Sequence, residues 1–505
     1  MKYNEYDAPH RDLRELLDRL DAAGELLKIP GAHWNLEMGA LIEEIYHKKA
    51  DNPPAIQFED IPGFPRGWLA VSGLTNSSRR LAITLGFPVP DTPMDVVRCY
   101  RDRMKGYGPI PPVAVKDGPI LENIDRGDNV DLLKFPVPFL HELDGGRYIG
   151  TDDLVIMHDP EEDWNNIGTY RAMLHDKNTV GLWMSPGKQG RQIREKYFKQ
   201  GKPCPVLISI GHDPLLFLAS GNEIKFGLSE FAWAGGHRGI PFETIESELY
   251  GLPMPAHSEI VLEGAMYEGE TRAEGPFGEF TGYYASEVSD EPVVRIERVY
   301  YRTNPIMTIA SPMQPPSDFS FCKCVMKSGM IWDEIERAGL NGVKAVWCHE
   351  AGGARMFNVV SIKQSYGGHA KQAAMLAANC QSGNYLGRWT VVVDEDIDPA
   401  NMFEVLWAMS TRCDPVEDID FIRHAWSGPL DPRLPKGVRT NSRAIIDACR
   451  PFSWIDEFPP VARSSEALRL KIREKFQRTC GPKKRVPPGG ALFYGPPCIY
   501  IYIYV

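Results

Sequence analysis

The chain has no apolar run approaching the roughly 18 residues of a membrane-spanning helix, which excludes an integral membrane protein of the helical kind. It has no long lysine or arginine block either. Acidic residues outnumber basic ones 67 to 56, and a net charge of −11 repels phosphate backbones, so nucleic acid is not an expected partner. Cysteine is thin: ten are scattered over 505 residues, and the close pair Cys322 and Cys324 has no second pair to complete a tetrahedral zinc site. Residues 1–14 alternate charged and polar types with no apolar stretch for a signal peptide, and the expected location is the cytoplasm.

What is present is ordinary globular composition, 43% hydrophobic and 24% charged, in a chain too long for a single core of at most roughly 300 residues. Two or three domains are expected. Leu13, Leu16, Leu17 and Leu20 follow helical spacing and Gly24 can end the turn, so residues 11–24 read as an amphipathic helix. Helices at 42–47 and 92–105 and strands at 55–58 and 68–71 complete an α/β N-terminal region. From about 120 to 310 short β-rich runs at 181–184, 206–210 and 293–301 suggest a barrel or sandwich, with helices at 191–199 and 229–235 between them. Pro312, Pro315 and Pro316 make 307–317 irregular and mark a boundary. Helices at 331–338 and 370–379 and strands at 343–348, 357–362 and 389–393 then form a second α/β region with a largely buried sheet. The expected divisions are 1–118, 119–312, 313–460 and 461–505. Within the last, the uncharged Ile and Tyr alternation of 499–505 is an aggregation-prone end, read as a non-native tail or as a strand for a neighbouring subunit.

Four clusters carry candidate chemistry. In Glu274-Gly-Pro-Phe-Gly-Glu279 two carboxylates bracket a turn that can aim both at one point, where one pKa must rise; two solvated loop glutamates are the alternative. Asn166 to Arg171 offers a guanidinium fork for a substrate carboxylate, but if the segment is extended these two residues face opposite sides unless a bulge intervenes; Arg171 paired with a structural acid is the plain alternative. Ala219, Ser220 and Gly221 permit close backbone approach, and Glu230 stands at a helix start, able to ligate a hard cation or merely to favour the helix dipole. Lys363 to Lys371 passes a Gly-Gly turn into a helix, which suits a phosphate without the Walker spacing.

Taken in order, Asn166 with Arg171, Asp176-Lys177-Asn178, Ser229-Glu230, Glu274 to Tyr283, Tyr366-Gly-Gly-His-Ala-Lys371 and Trp407 to Pro415 resemble the UbiD family of prenylated-flavin (de)carboxylases over roughly residues 10–460. The resemblance implies a mixed α/β fold: an N-terminal α/β segment, a central split β-barrel that binds prenylated FMN, and a C-terminal α/β oligomerisation domain, assembling as a homodimer or homohexamer. It implies Arg171, Glu274 and Glu279 at the reacting centre, and Asn166, Ile167, Thr169, Lys188, Gln189, Ala219, Ser220, Gly221, Glu230 and Lys371 around the cofactor. Asn166 and Glu230 would ligate a divalent cation, Mn2+ or Mg2+, with K+ nearby. Where many relatives place a histidine ligand this chain has Ser185-Pro-Gly-Lys188-Gln189; a protonated lysine cannot coordinate metal, so either Gln189 or water completes the shell or Lys188 meets the phosphate directly.

The implied activity is reversible, non-oxidative decarboxylation of an aromatic or heteroaromatic carboxylic acid, with an acrylic acid substrate or net carboxylation of a phenolic or heteroaromatic ring as alternatives. The implied partner is a flavin prenyltransferase that supplies the cofactor. Residues 311–316 and the surroundings of Phe421 are expected to shape the substrate pocket.

Overall fold

The computed structural model describes residues 9–476 apart from 49–51, 223, 225–226 and 285–286. The chain divides into two compact units, one ending at Ser453 and one beginning at Trp454. In the second the helix Glu466–Lys475 is described, capped by Ser465, whose hydroxyl accepts from the Leu468 amide at 3.2 Å. The proposed tail 499–505 lies outside the described residues.

In the first unit the N-terminal helix Leu13–Ala22 forms as its spacing demands: Asp12 caps it, and Leu13, Leu16, Leu17 and Leu20 are all buried. It covers a four-stranded sheet ordered Leu26–Pro30, Ala55–Glu59, Leu69–Ser72 and Ile306–Ile309. The last strand corrects the expectation that 307–317 lacks regular structure. Its four residues fall between Pro305 and Pro312, so each keeps an amide for the ladder, and all are buried in parallel register with Leu69–Ser72. The rest of the proline-rich segment is irregular.

The central sheet has nine strands. Its main path runs Tyr148–Gly150, Ala172–Asp176, Thr179–Leu182, Ser289–Tyr301, Ile260–Glu274, Cys204–Ile210, Asp153–Asp159 and Trp164–Gly168. Trp164–Gly168 is therefore one edge, while the next strand in sequence, Ala172–Asp176, lies six strand positions away. Laid flat, that separation is about 29 Å, and the four Cα steps from Gly168 to Ala172 reach only about 15 Å. The sheet must curl until its edges nearly meet. Thr169, Tyr170 and Arg171 bridge the gap, and the result is the split barrel that the family resemblance implies.

A five-stranded mixed sheet, ordered Val343–Cys348, Phe357–Ile362, Trp389–Asp394, Thr440–Ala448 and Ile419–Trp426, carries the helices Ser320–Arg337 and His369–Asn379 against it. Among the described residues no helix is long and apolar enough to cross a membrane.

Candidate active site

The two glutamates of the Gly-Pro turn and the arginine of the barrel split meet. Glu274 is the last residue of the long strand Ile260–Glu274 and is fully buried. The next residue, Gly275, has φ +84°, a conformation that an L side chain resists, and a Cβ there would lie 3.2 Å from the Glu287 carbonyl. That reversal turns Glu279 back toward Glu274. Asp144 holds the turn, accepting from the amides of Gly278 at 3.3 Å and His141 at 3.0 Å, while the Gly145 amide donates to Pro276 O at 2.7 Å.

Arg171 donates through Nε to Glu274 Oε1 and through Nη2 to Glu274 Oε2, both at 2.8 Å, and through Nη1 to Glu279 Oε1 at 2.9 Å. The parity problem disappears because the strand holding Asn166 stops at Gly168 and a new one begins at Ala172, which leaves Arg171 outside both. Its guanidinium lies 4.4 Å from the Trp183 ring centre. Tyr148, which the sequence reading missed, donates to Glu274 Oε1 at 2.9 Å. Glu274 thus accepts three hydrogen bonds, whereas Glu279 is tied through one oxygen. Burial pushes the Glu279 carboxyl up to about 7, the neighbouring Glu274 adds to the rise, and Arg171 opposes it. A carboxyl poised near neutrality beside a fixed guanidinium can exchange a proton with a bound molecule.

These side chains open on a cavity of about 270 Å3 between the barrel split and the helix Ser320–Arg337. Trp183, Phe277, Phe280, Phe319 and Tyr385 give it flat apolar walls, and Thr151, Thr169 and Ser185 add hydroxyls. Its charges are lopsided: Arg171, Lys188, Lys323, Lys327 and Arg355 line it against a single acid, Glu279. Lys323, Lys327 and Arg355 were not anticipated. The signal available was two lysines four apart in an otherwise apolar helical stretch, where a solvated face carries no such surroundings.

The other expected residues divide. Thr169 lines the cavity and its Oγ1 is 2.6 Å from Ser220 Oγ; the Gly221 carbonyl accepts from Lys323 Nζ at 2.9 Å; Ala219 is buried in the helix Pro214–Ser220 behind them. Ile167 donates its amide to Glu230 Oε2 at 2.9 Å, and burial pushes the Glu230 carboxyl up to about 7. Asn166 is buried with its Nδ2 unpartnered. Gln189 lines a different groove, beside Tyr107 and Asn222. Lys371 is not brought to the site: it sits on the exposed face of the helix His369–Asn379, 2.8 Å from Asp420, because its turn completes the C-terminal sheet rather than facing the barrel. Pro312 lines the cavity as expected, but Phe421 is 67% exposed on the strand Ile419–Trp426.

An elongated, flat, anionic cofactor fits these walls. A protein-built metal shell does not. Asn166 and Glu230 offer two oxygen donors, and among the described residues no three His, Cys, Asp or Glu side chains gather closely enough to hold a metal ion.

Known proteins share the sequence and the fold of this chain. Residues 17–100, 112–315 and 321–448 match the N-terminal, Rift-related and C-terminal domains of 3-octaprenyl-4-hydroxybenzoate carboxy-lyase. The chain is 31% identical over 488 residues to the pyrrole-2-carboxylic acid decarboxylase of Pseudomonas aeruginosa, covering 92% of this chain and 97% of that one. It is also 31% identical over 455 residues to a phenolic acid decarboxylase of Sedimentibacter hydroxybenzoicus, covering 88% and 92%. Among solved structures, the open form of vanillic acid decarboxylase from Sedimentibacter hydroxybenzoicus superposes with TM-score 0.80 at 28% identity, covering 93% of this chain and all of that one. An evolved dimeric form of the UbiD-class enzyme HmfF from Pelotomaculum thermopropionicum, solved with prFMN, superposes with TM-score 0.77 at 27% identity, covering 91% and 98%. The three matched domains in order, with the relatives spanning nearly the whole chain, make this protein a member of the UbiD family of carboxy-lyases.

Proposed function

We propose that the protein catalyses reversible, non-oxidative decarboxylation of an aromatic or heteroaromatic carboxylic acid with prenylated FMN bound in the barrel cavity. The observation that carries the reading is the Arg171 fork shared by Glu274 and Glu279 at the mouth of a flat, cation-lined cavity. The names of the relatives support the substrate class, and HmfF with prFMN supports the cofactor.

The bound flavin would supply an electron sink for the pair left when carbon dioxide departs. The side chains do the rest. Arg171 orients the substrate carboxylate, Glu274 and Trp183 hold the guanidinium in place, and Tyr148 fixes Glu274. Glu279 carries the proton: its carboxyl, raised to about 7, delivers it to the ring carbon that lost carbon dioxide. The aromatic walls exclude water from the developing carbanion and stack the ring. Glu279 with one oxygen tied to Arg171 keeps the other for this transfer.

The test is production of the full chain together with a flavin prenyltransferase, followed by a carbon dioxide release screen over pyrrole, furan, phenolic and cinnamic acids. Flavin-loaded protein that releases carbon dioxide from ring acids supports the reading. Loaded protein inert toward every acid, in both directions, overturns it.

A further inference from the structure

We propose that this chain anchors the phosphate of its flavin with its own ammonium groups, Lys188 and Lys323, and retains the cofactor without a bound divalent cation. The inference rests on the flavin reading above and concerns the phosphate-binding end of the same cavity.

A phosphate monoester carries close to two negative charges and is held by N–H donors or by cations. Here the cations are built in. Lys188 precedes the first turn of the helix Gln189–Lys199, whose amide end favours an anion, and its side chain reaches the cavity. Lys323 comes from the opposite wall, on the helix Ser320–Arg337, and lies within electrostatic reach of Lys188 and Arg355. It is fixed there: Nζ donates to Gly221 O at 2.9 Å and sits 5.5 Å from the Phe217 ring centre. An ammonium has three donors, and Gly221 takes one.

The oxygen donors tell the complementary story. Asn166 and Glu230 contribute two, and one oxygen of Glu230 already accepts the Ile167 amide. Gln189, the nearest candidate for a third, faces the other groove. Lys188 lines the cavity as an ammonium, which cannot coordinate a metal ion and repels one. Lysine side chains from two helices line the cavity, and among the described residues the side-chain oxygen donors stop at two, which describes a site for phosphate rather than for metal and phosphate together.

The experiment uses the full chain with FMN and riboflavin, which differ by the phosphate alone, and follows flavin fluorescence on titration with EDTA or with MnCl2. Each charge-assisted hydrogen bond is worth a factor of about 10 to 100 in affinity, so FMN binds at least about 10-fold more tightly than riboflavin in EDTA. Mn2+ changes that advantage by less than about 3-fold. Lys188→Met and Lys323→Met each reduce the advantage about 10-fold with unchanged far-ultraviolet circular dichroism, and Lys188→His makes it depend on Mn2+. An FMN advantage that vanishes in EDTA and returns with Mn2+ overturns the proposal, as do folded lysine variants that keep it. Protein that takes up neither flavin, with or without metal, overturns the cofactor reading and this inference with it. Phosphate-dependent, metal-independent binding without decarboxylation of any acid removes the proposed function alone.

Discussion

The molecule shares an arginine between two acids at several points, and two of these sets contrast: Arg171 lines the barrel cavity with Glu279, whereas Arg412 is buried among acids bound on every oxygen. Arg412 donates to Asp394 at 2.9 Å and to both oxygens of Asp396 at 2.8 and 2.9 Å, as Arg171 does to Glu279 and Glu274. At Arg412 every acid oxygen has work: Asp394 also takes Gln364, the Arg450 amide and the Arg450 side chain, and the Arg412 hydrogen bonds hold the Asp396 carboxyl below its usual range. At Arg171 one acid accepts three hydrogen bonds, and the other is half tied, 12% exposed, and raised to about 7. The difference teaches that an Arg and acid set becomes chemistry when one acid is left undersatisfied against open space. When all are satisfied, the set becomes architecture.

Breaking each set separates the two. The largest effect is on rate: Glu279→Gln lowers carbon dioxide release by about 10²- to 10⁴-fold while flavin content holds, measured on loaded enzyme with its best ring acid. Arg412→Ala does the reverse. It leaves Asp396 without its cation and Asp394 with Arg450 alone, and costs about 3–5 kcal/mol of stability in urea unfolding, with turnover per folded molecule unchanged. Next, Tyr148→Phe removes a hydrogen bond to a charged carboxylate and costs about 1.5–3 kcal/mol, read as a lower kcat with KM little altered. The sign of the Glu279 shift gives a further contrast. A carboxyl whose folded pKa lies above its unfolded one binds the extra proton in the folded state, so its contribution to stability declines as pH rises from about 4.5 to about 7. Glu279→Gln is therefore more stable than the parent above pH 7, by about 1–3 kcal/mol, and equal to it below pH 4.5. The smallest effect belongs to Lys371→Met, which removes a surface ion pair with Asp420, leaves flavin retention unchanged, and shifts stability by less than about 1 kcal/mol.

The Arg171 set was visible in the sequence as motifs and not as a constellation; of the Arg412 set only the segment Trp407 to Pro415 stood out, without its acids. Arg171, Glu274 and Glu279 could be named because a Gly-Pro turn between two glutamates is unusual chemistry for a loop, and the family order confirmed it. Their meeting could not be derived, since it depends on the sheet curling until residues 169–171 cross the split. The four leucines of the first helix were legible because one face of a 3.6-residue period leaves little choice. The strand Ile306–Ile309 was not: four residues among prolines, three apolar and one Thr308, become a strand only when Leu69–Ser72 offers an edge. Lys371 was misplaced for the same reason that Lys323 was overlooked. A lysine at a helix start reads as a phosphate ligand and one in mid-helix as a solvated face, and which wall each helix occupies is decided by packing far away in sequence.

The most direct measurement is solvent deuterium exchange into the decarboxylated ring product, followed by NMR across pH on loaded enzyme. With Glu279 as the proton carrier, exchange at the former carboxyl position is rapid in the parent, falls as pH rises above about 7, and is abolished in Glu279→Gln with the flavin spectrum intact. Exchange that survives in Glu279→Gln at the parent's rate contradicts the account.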